Sequence, residues 1–438
     1  MDPVELRIEV PYGFLAAKVW GPADGKRVVA LHGWLDSAAT FDTLCPLLDS
    51  SLRIVALDFA GHGNSSHRPP GCRYNILEYV IDVRRVVDHL KWDRFCIVGH
   101  SMGGSTAIMF AGLFPDRVLS LITLDVVVPT VIVDSVHRFD MPSECTETKF
   151  TIPYGHLAAK VWGDPAHATT RVLALHGWRN NAGTFDTLIP LLSSDTYVVA
   201  LDLSGHGLSS HKPAGCSYSY HEYVMDVCRV VQQLKWERFC IMGHSFGCTV
   251  GMMYASFFPD RVQCVVALDL YAPLHVPRER LAQDTSKLIS SFLHLESKLN
   301  QPPSYTEEEL LKRLDEATLH TLNKDTMRIL MVRDVLRDDG KLTLRTDPRT
   351  RAISTVLLDA DFQYTLMEKI RCDLLMVTAS EIDERIMRQS MDRFFALYER
   401  CCPRFKHVEV EGNHYVHLNH PERVAPVIND FLANVKSV

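Results

Sequence analysis

No uninterrupted apolar run in this 438-residue chain is long enough to cross a bilayer comfortably. The most apolar window, Val118 to Val133, is broken by Asp125 and Pro129 and reads as a buried strand running into a linker. The amino terminus, MDPVELRIEV, has no basic region leading into an apolar core, so no secretory signal is expected. A basic stripe is missing too. The 46 Lys and Arg residues face 53 Asp and Glu, giving a net charge of -7 spread without long runs, which argues against a nucleic-acid partner. There are no CxxC pairs of the kind that hold zinc. The glycine turn Gly205-His206-Gly207 is not followed by a P-loop lysine, so it is not a phosphate cradle. No metal or organic cofactor is implied. With no export signal, the 12 cysteines read as small buried thiols in a reducing compartment, and a cytoplasmic location is expected. The closing Lys436-Ser437-Val438 is not the peroxisomal tripeptide, so any peroxisomal association would need another signal.

What remains is an ordinary globular composition, 47% hydrophobic and 23% charged, in a chain long enough for two or three domains. Its main feature is a repeat. Residues 28 to 42, VVALHGWLDSAATFD, return as VLALHGWRNNAGTFD at residues 172 to 186. The register holds through Gly99-His100-Ser101-Met102-Gly103 and Gly243-His244-Ser245-Phe246-Gly247. A Gly-x-Ser-x-Gly pentad between an apolar run and a helical pattern is a nucleophile elbow. Everything after the second elbow region occurs once. Two nucleophile candidates, Ser101 and Ser245, therefore share one supply of other catalytic parts.

In the second copy, Arg171 to Leu175, Tyr197 to Leu201, Phe239 to Met242 and Val262 to Leu268 are short and almost continuously apolar, as strands buried on both faces require. Between them Tyr223, Val224, Val227, Val230, Val231 and Leu234 recur at helical spacing. Alternating strands and helices predict an α/β fold with a doubly wound, mostly parallel sheet. From about residue 274 to 368 the pattern turns to charged helical segments with no buried-strand signal, which suits a helical cap over the site. Leu374 to Thr378 and His407 to Val410 resume the strand pattern, and Val424 to Val435 reads as a closing helix. The division expected is residues 1 to 140, a truncated and inactive half-copy, and residues 149 to 438, a complete domain with its cap. The half-copy would leave a sheet edge open, which Val126 to Val133 is expected to help cover. Two neighbouring coding regions merged into one sequence would give the same arrangement.

Ser245 is the candidate nucleophile, held clear of the sheet by its glycine-flanked turn. A serine hydroxyl needs a base to take its proton, and His414, in the late Gly412-Asn413-His414 turn, occurs where the serine, acid, histidine order places it. His417 and His420 read as surface or helix-entry histidines, and His206 as part of a tight structural loop. Together the LHGW motif, the DLSGHGLSSH segment, GHSFG and the late GNHYVHL resemble the α/β-hydrolase superfamily, and within it the serine hydrolase-like (Kraken-like) family. The second copy resembles that family along nearly its whole length, the first only along its amino-terminal half. The resemblance implies a serine hydrolase, with the acid supplied by Asp383, in the common position; the alternative is Asp269, at the end of an earlier strand. Glu381 lies on the same loop as Asp383. It also implies an oxyanion hole made by the main-chain N–H groups of Trp178 and Phe246. The expected activity is acyl-enzyme cleavage of a small or medium apolar carboxylic ester, with no partner beyond that small molecule and no indication of oligomeric state. The alternative is a catalytically silent ligand-binding or scaffold protein on the same fold.

Overall fold

The computed structural model describes residues 3–124, 145–272, 278–299, 301–338, 341–353, 360–381 and 384–435. Asp125, Val126 to Val133 and most of the expected linker lie outside the described residues, as does Asp383. By internal contacts the chain falls into two units. The first is Met1–Val133 with Lys212–Ser217 and Glu279–Glu296; the second holds the remainder.

The first unit carries a six-stranded sheet built from β1 (Val4–Val10), β2 (Gly13–Trp20), β3 (Lys26–Leu31), β4 (Leu52–Leu57), β5 (Phe95–His100) and β6 (Val118–Leu124), in the order β1-β2-β4-β3-β5-β6. β1, β2 and β4 pair antiparallel, and the rest are parallel. Helix α1 (Ile76–His89) starts on the Asn75 side chain, which accepts from Glu78 N at 3.0 Å. Helix α2 (Met102–Leu113) follows β5 directly. β6 ends the sheet with Leu119, Leu121, Ile122 and Leu124 all exposed. Cys72 and Cys216 of this unit form a disulfide, where buried thiols were expected. Two equivalent positions of the repeat are thus joined covalently, a pairing that spacing in a linear sequence does not reveal.

In the second unit, β7 (Thr146–Ile152) and β8 (Gly155–Trp162) form an antiparallel pair. β9 (Thr170–Leu175), β10 (Thr196–Leu201), α3 (Tyr220–Gln233), β11 (Phe239–His244), α4 (Phe246–Phe257) and β12 (Val262–Leu268) follow. After α5 (Arg278–Glu296), nearly all of which belongs to the first unit, come β13 (Ser304–Tyr305), α6 (Glu307–Ala317), α7 (Lys324–Asp334), β14 (Val335–Asp338), β15 (Lys341–Leu344) and α8 (Ala360–Met367). The chain closes with β16 (Asp373–Ala379), α9 (Glu384–Cys401), β17 (Phe405–Val410), α10 (Val416–Asn419) and α11 (Pro421–Ala433).

The eight strands run β17-β16-β12-β11-β9-β10-β8-β7, parallel from β17 to β10. Alternation along each strand feeds two cores. Leu173 and Leu175 face one core with Tyr223, Val227 and Val230 of α3, Met252 and Met253 of α4, and Leu397 and Tyr398 of α9. Val172 and Ala174 face the other with Val424, Ile428 and Phe431 of α11. Helices on both faces of a mainly parallel sheet make this the expected doubly wound α/β architecture. The cap region is less purely helical than its charged sequence suggested: β13, β14 and β15 form a small antiparallel sheet in the order β13-β15-β14. These strands are only two to four residues long, too short for a periodic signal. α6 has a full capping box, Thr306 with Glu309.

Candidate active site

Ser245 sits between β11 and α4 with φ 49° and ψ -113°, a strained backbone for a residue with a side chain. The flanking glycines make the turn feasible. A Cβ on Gly243 would lie 2.5 Å from Cys248 N, and one on Gly247 would lie 2.0 Å from Leu175 O. Ser245 N donates to Leu268 O at 3.0 Å, pinning the turn to the end of β12. The preceding residue, His244, is fully buried, while Ser245 is half-buried. The His176-Gly177-Trp178 loop passes over the elbow so closely that a Cβ on Gly177 would stand 3.6 Å from Ser245 Cβ. Phe246 is the first residue of α4, so its N–H belongs to the unsatisfied set at a helix start.

Asp269 directly follows β12, buried and itself at φ 53°. Its N donates to Val377 O at 2.8 Å, and its Oδ1 accepts from Ala379 N at 2.7 Å, so β16 fixes both backbone and carboxylate. Its other oxygen, Oδ2, lies 2.6 Å from His414 Nδ1. His414 comes from the turn after β17, where Gly412 takes φ 142°. The carbonyl of His414 accepts from His244 Nε2 at 2.9 Å, and the two rings lie 4.8 Å apart between centroids. Asn413 Nδ2 donates to Thr321 O at 2.9 Å, tying the same turn to the cap. The histidine beside the elbow is therefore oriented by Asp269. Asp383, the other acid candidate, is outside the described residues, and Glu381 is engaged through its backbone, N to Gly412 O at 2.9 Å.

Trp178, expected to line the site or the core, is about half exposed, and its Nε1 donates to Thr350 O at 2.9 Å. His417 is fully buried rather than at the surface; its Nε2 meets Thr184 Oγ1 at 2.9 Å and its ring lies 4.1 Å from that of His244. Burial, with neighbouring His414, lowers its pKa to about 3. Burial also lowers His244 well below the ordinary value, with His417 and His414 adding to the effect. The His244 ring thus packs against both His414 and His417. The loop glycines Gly205 and Gly207 take φ 78° and 51°, and His206 is buried with its pKa lowered to about 3, chiefly by burial. His420 starts α11, 3.4 Å from Glu422. In the first unit Ser101 repeats the elbow, with φ 51° and ψ -116°. Asp125, the counterpart of Asp269, lies outside the described residues.

Against known proteins, the family model described as alpha/beta hydrolase fold matches residues 26–148 and 170–293, more than half of the chain. The chain belongs to the α/β-hydrolase fold family. Among curated relatives, a serine hydrolase-like protein of Danio rerio is 36% identical over 299 residues, covering 67% of this chain and 90% of the relative. Serine hydrolase-like protein 2 of Homo sapiens is 34% identical, covering 66% and 95%. A hypothetical protein of Pseudomonas aeruginosa PAO1 of known structure is 29% identical with a TM-score of 0.59, covering 66% of this chain and 99% of its own. The resemblance read from the motifs, to a serine hydrolase-like member of this fold, is the one these comparisons support.

Proposed function

We propose that this chain is a serine hydrolase that cleaves small or medium apolar carboxylic esters, with Ser245 as nucleophile, His414 as general base and Asp269 as the orienting acid. The observation that carries the reading is the 2.6 Å contact between His414 Nδ1 and Asp269 Oδ2 beside the elbow. It fixes the ring so that Nε2 is the nitrogen left for a serine proton, and it stabilises the imidazolium that forms on attack. Ser245 Oγ would add to the ester carbonyl while His414 takes its proton. His414 then returns that proton to the leaving alcohol, and a water activated by the same ring releases the acid. The N–H groups of Trp178 and Phe246 would meet the oxyanion; losing one such donor typically costs about 3 kcal/mol of transition-state stabilisation. Asp269 takes the place of Asp383 in this reading because a bonded carboxylate is visible at His414.

A fluorophosphonate probe tests the proposal. Ser245 should be modified in folded protein, with labelling retained in Ser101→Ala and lost in His414→Ala. Turnover of short-chain p-nitrophenyl esters should disappear with the labelling. If neither serine reacts, the ligand-binding alternative replaces this one.

A further inference from the structure

Two cysteines at the end of α9 take no part in the chemistry above, and they are unequal. Cys401 closes the helix half-buried, whereas Cys402 is buried. Their sulfurs lie 3.9 Å apart. Cys402 N donates to Tyr398 O at 2.9 Å, which holds the second cysteine against the last helical turn. Two guanidiniums are anchored alongside. Arg371 Nη1 donates to the carbonyls of Glu368 and Ile370, and Arg400 Nη2 reaches Tyr364 Oη and Glu368 Oε1. A reachable thiol with a shielded thiol at contact distance is the arrangement of an attacking cysteine and its resolving partner.

We propose that Cys401 and Cys402 form a reversible redox site, in which Cys401 attacks a low-molecular-weight disulfide of the glutathione type and Cys402 resolves the adduct. In the first step the Cys401 thiolate forms a bond to one sulfur of oxidised glutathione. The S–S bond breaks, and the departing glutathione thiolate accepts the proton that Cys401 gave up. In the second step Cys402 loses its proton and attacks Cys401 Sγ, expelling the second glutathione as a thiol. Two protein thiols are oxidised to one disulfide, and one glutathione disulfide is reduced to two thiols.

The electrostatics agree on which sulfur attacks. The contact with Cys402 lowers the Cys401 thiol to about 7 against the opposing effect of burial, with Arg371 and Arg400 adding to the lowering. The same contact, together with burial, pushes Cys402 up. Reversibility follows from the covalent geometry. Neighbouring Cα atoms are about 3.8 Å apart, short of the roughly 4.4–6.8 Å span usual for a disulfide, so the ring formed is strained and easily reduced. The rate advantage over an ordinary surface thiol is modest, about two- to fourfold, because a lower pKa raises the thiolate fraction but weakens the nucleophile. Resolution is the more decisive readout.

Folded full-length protein would be treated with oxidised glutathione at neutral pH, then alkylated and mapped by peptide mass. The peptide containing both cysteines should lose two hydrogens in the wild type and regain them with dithiothreitol. Cys402→Ser should instead trap a stable glutathione adduct on Cys401, and Cys401→Ser should give neither product. Cys402→Ala serves as a second variant if serine disturbs the buried position. The proposal fails if the wild-type peptide keeps both thiols while the exposed Cys145 takes up glutathione. It fails equally if wild type and Cys402→Ser accumulate the same unresolved adduct.

Discussion

Ser245, His414 and Asp269, the proposed serine, histidine and acid, differ in how legible they are in the sequence. The serine announces itself, because a strained turn needs its glycines at fixed offsets. The histidine is marked by a late Gly-Asn-His turn after a strand pattern. The acid carries no local mark. Asp269 and Asp383 both fall between serine and histidine along the chain, and the contact of Asp269 with His414 comes from the pairing of β12 with β16, which no local pattern signals. Asp269→Asn should therefore lower kcat on an ester substrate by about 10⁴-fold, as loss of an orienting acid does in serine hydrolases, with little change in KM. Asp383→Asn, assayed alongside, should fall by less than about tenfold. The reverse order would return the acid to the later loop.

At the level of elements, periodicity located most of the second sheet. Val262–Leu268 has the bounds expected, and Thr170–Leu175, Thr196–Leu201 and Asp373–Ala379 differ from the apolar runs by a residue or two. These strands are buried on both faces, so their sequences are almost unbroken Val, Leu, Ala and Met. The cap strands β13 to β15 were invisible because pairs this short stand on turn geometry and neighbouring helices. The elbow is the element least tolerant of change. Gly247→Ala would drive a methyl group into Leu175 O, so this variant should lose probe labelling at Ser245 or fail to accumulate as soluble protein. On α6, Thr306→Ala removes the cap oxygen and should cost about 1 kcal/mol, read as faster amide exchange over the first turn.

Across the molecule, five buried histidines among the described residues set the acid limit. Burial lowers His32, takes His176 to about 4 and His206 and His417 to about 3, and holds His244 well below its ordinary value. Unfolding frees each ring to bind a proton near pH 6.5, so the unfolded state gains protons as pH falls. Their stabilisation is complete above about pH 6.5 and drains away towards pH 3 to 4, at up to about 1.4 kcal/mol per pH unit for each ring. The melting temperature should drop steadily between pH 6.5 and 4; a flat profile would contradict the burial. The exposed apolar edge of β6 sets a second limit. Leu119→Lys with Ile122→Lys should reduce concentration-dependent association in light scattering while leaving Ser245 labelling intact. The cap is joined both to the loop that carries Trp178 and to the loop after β10. Trp178 Nε1 reaches Thr350 O, Asn181 Nδ2 reaches Leu330 O at 2.9 Å, and buried Arg333 Nη2 meets buried Asp202 Oδ2 at 2.8 Å. Those contacts rivet the roof to both loops, so lifting it from either would mean breaking them.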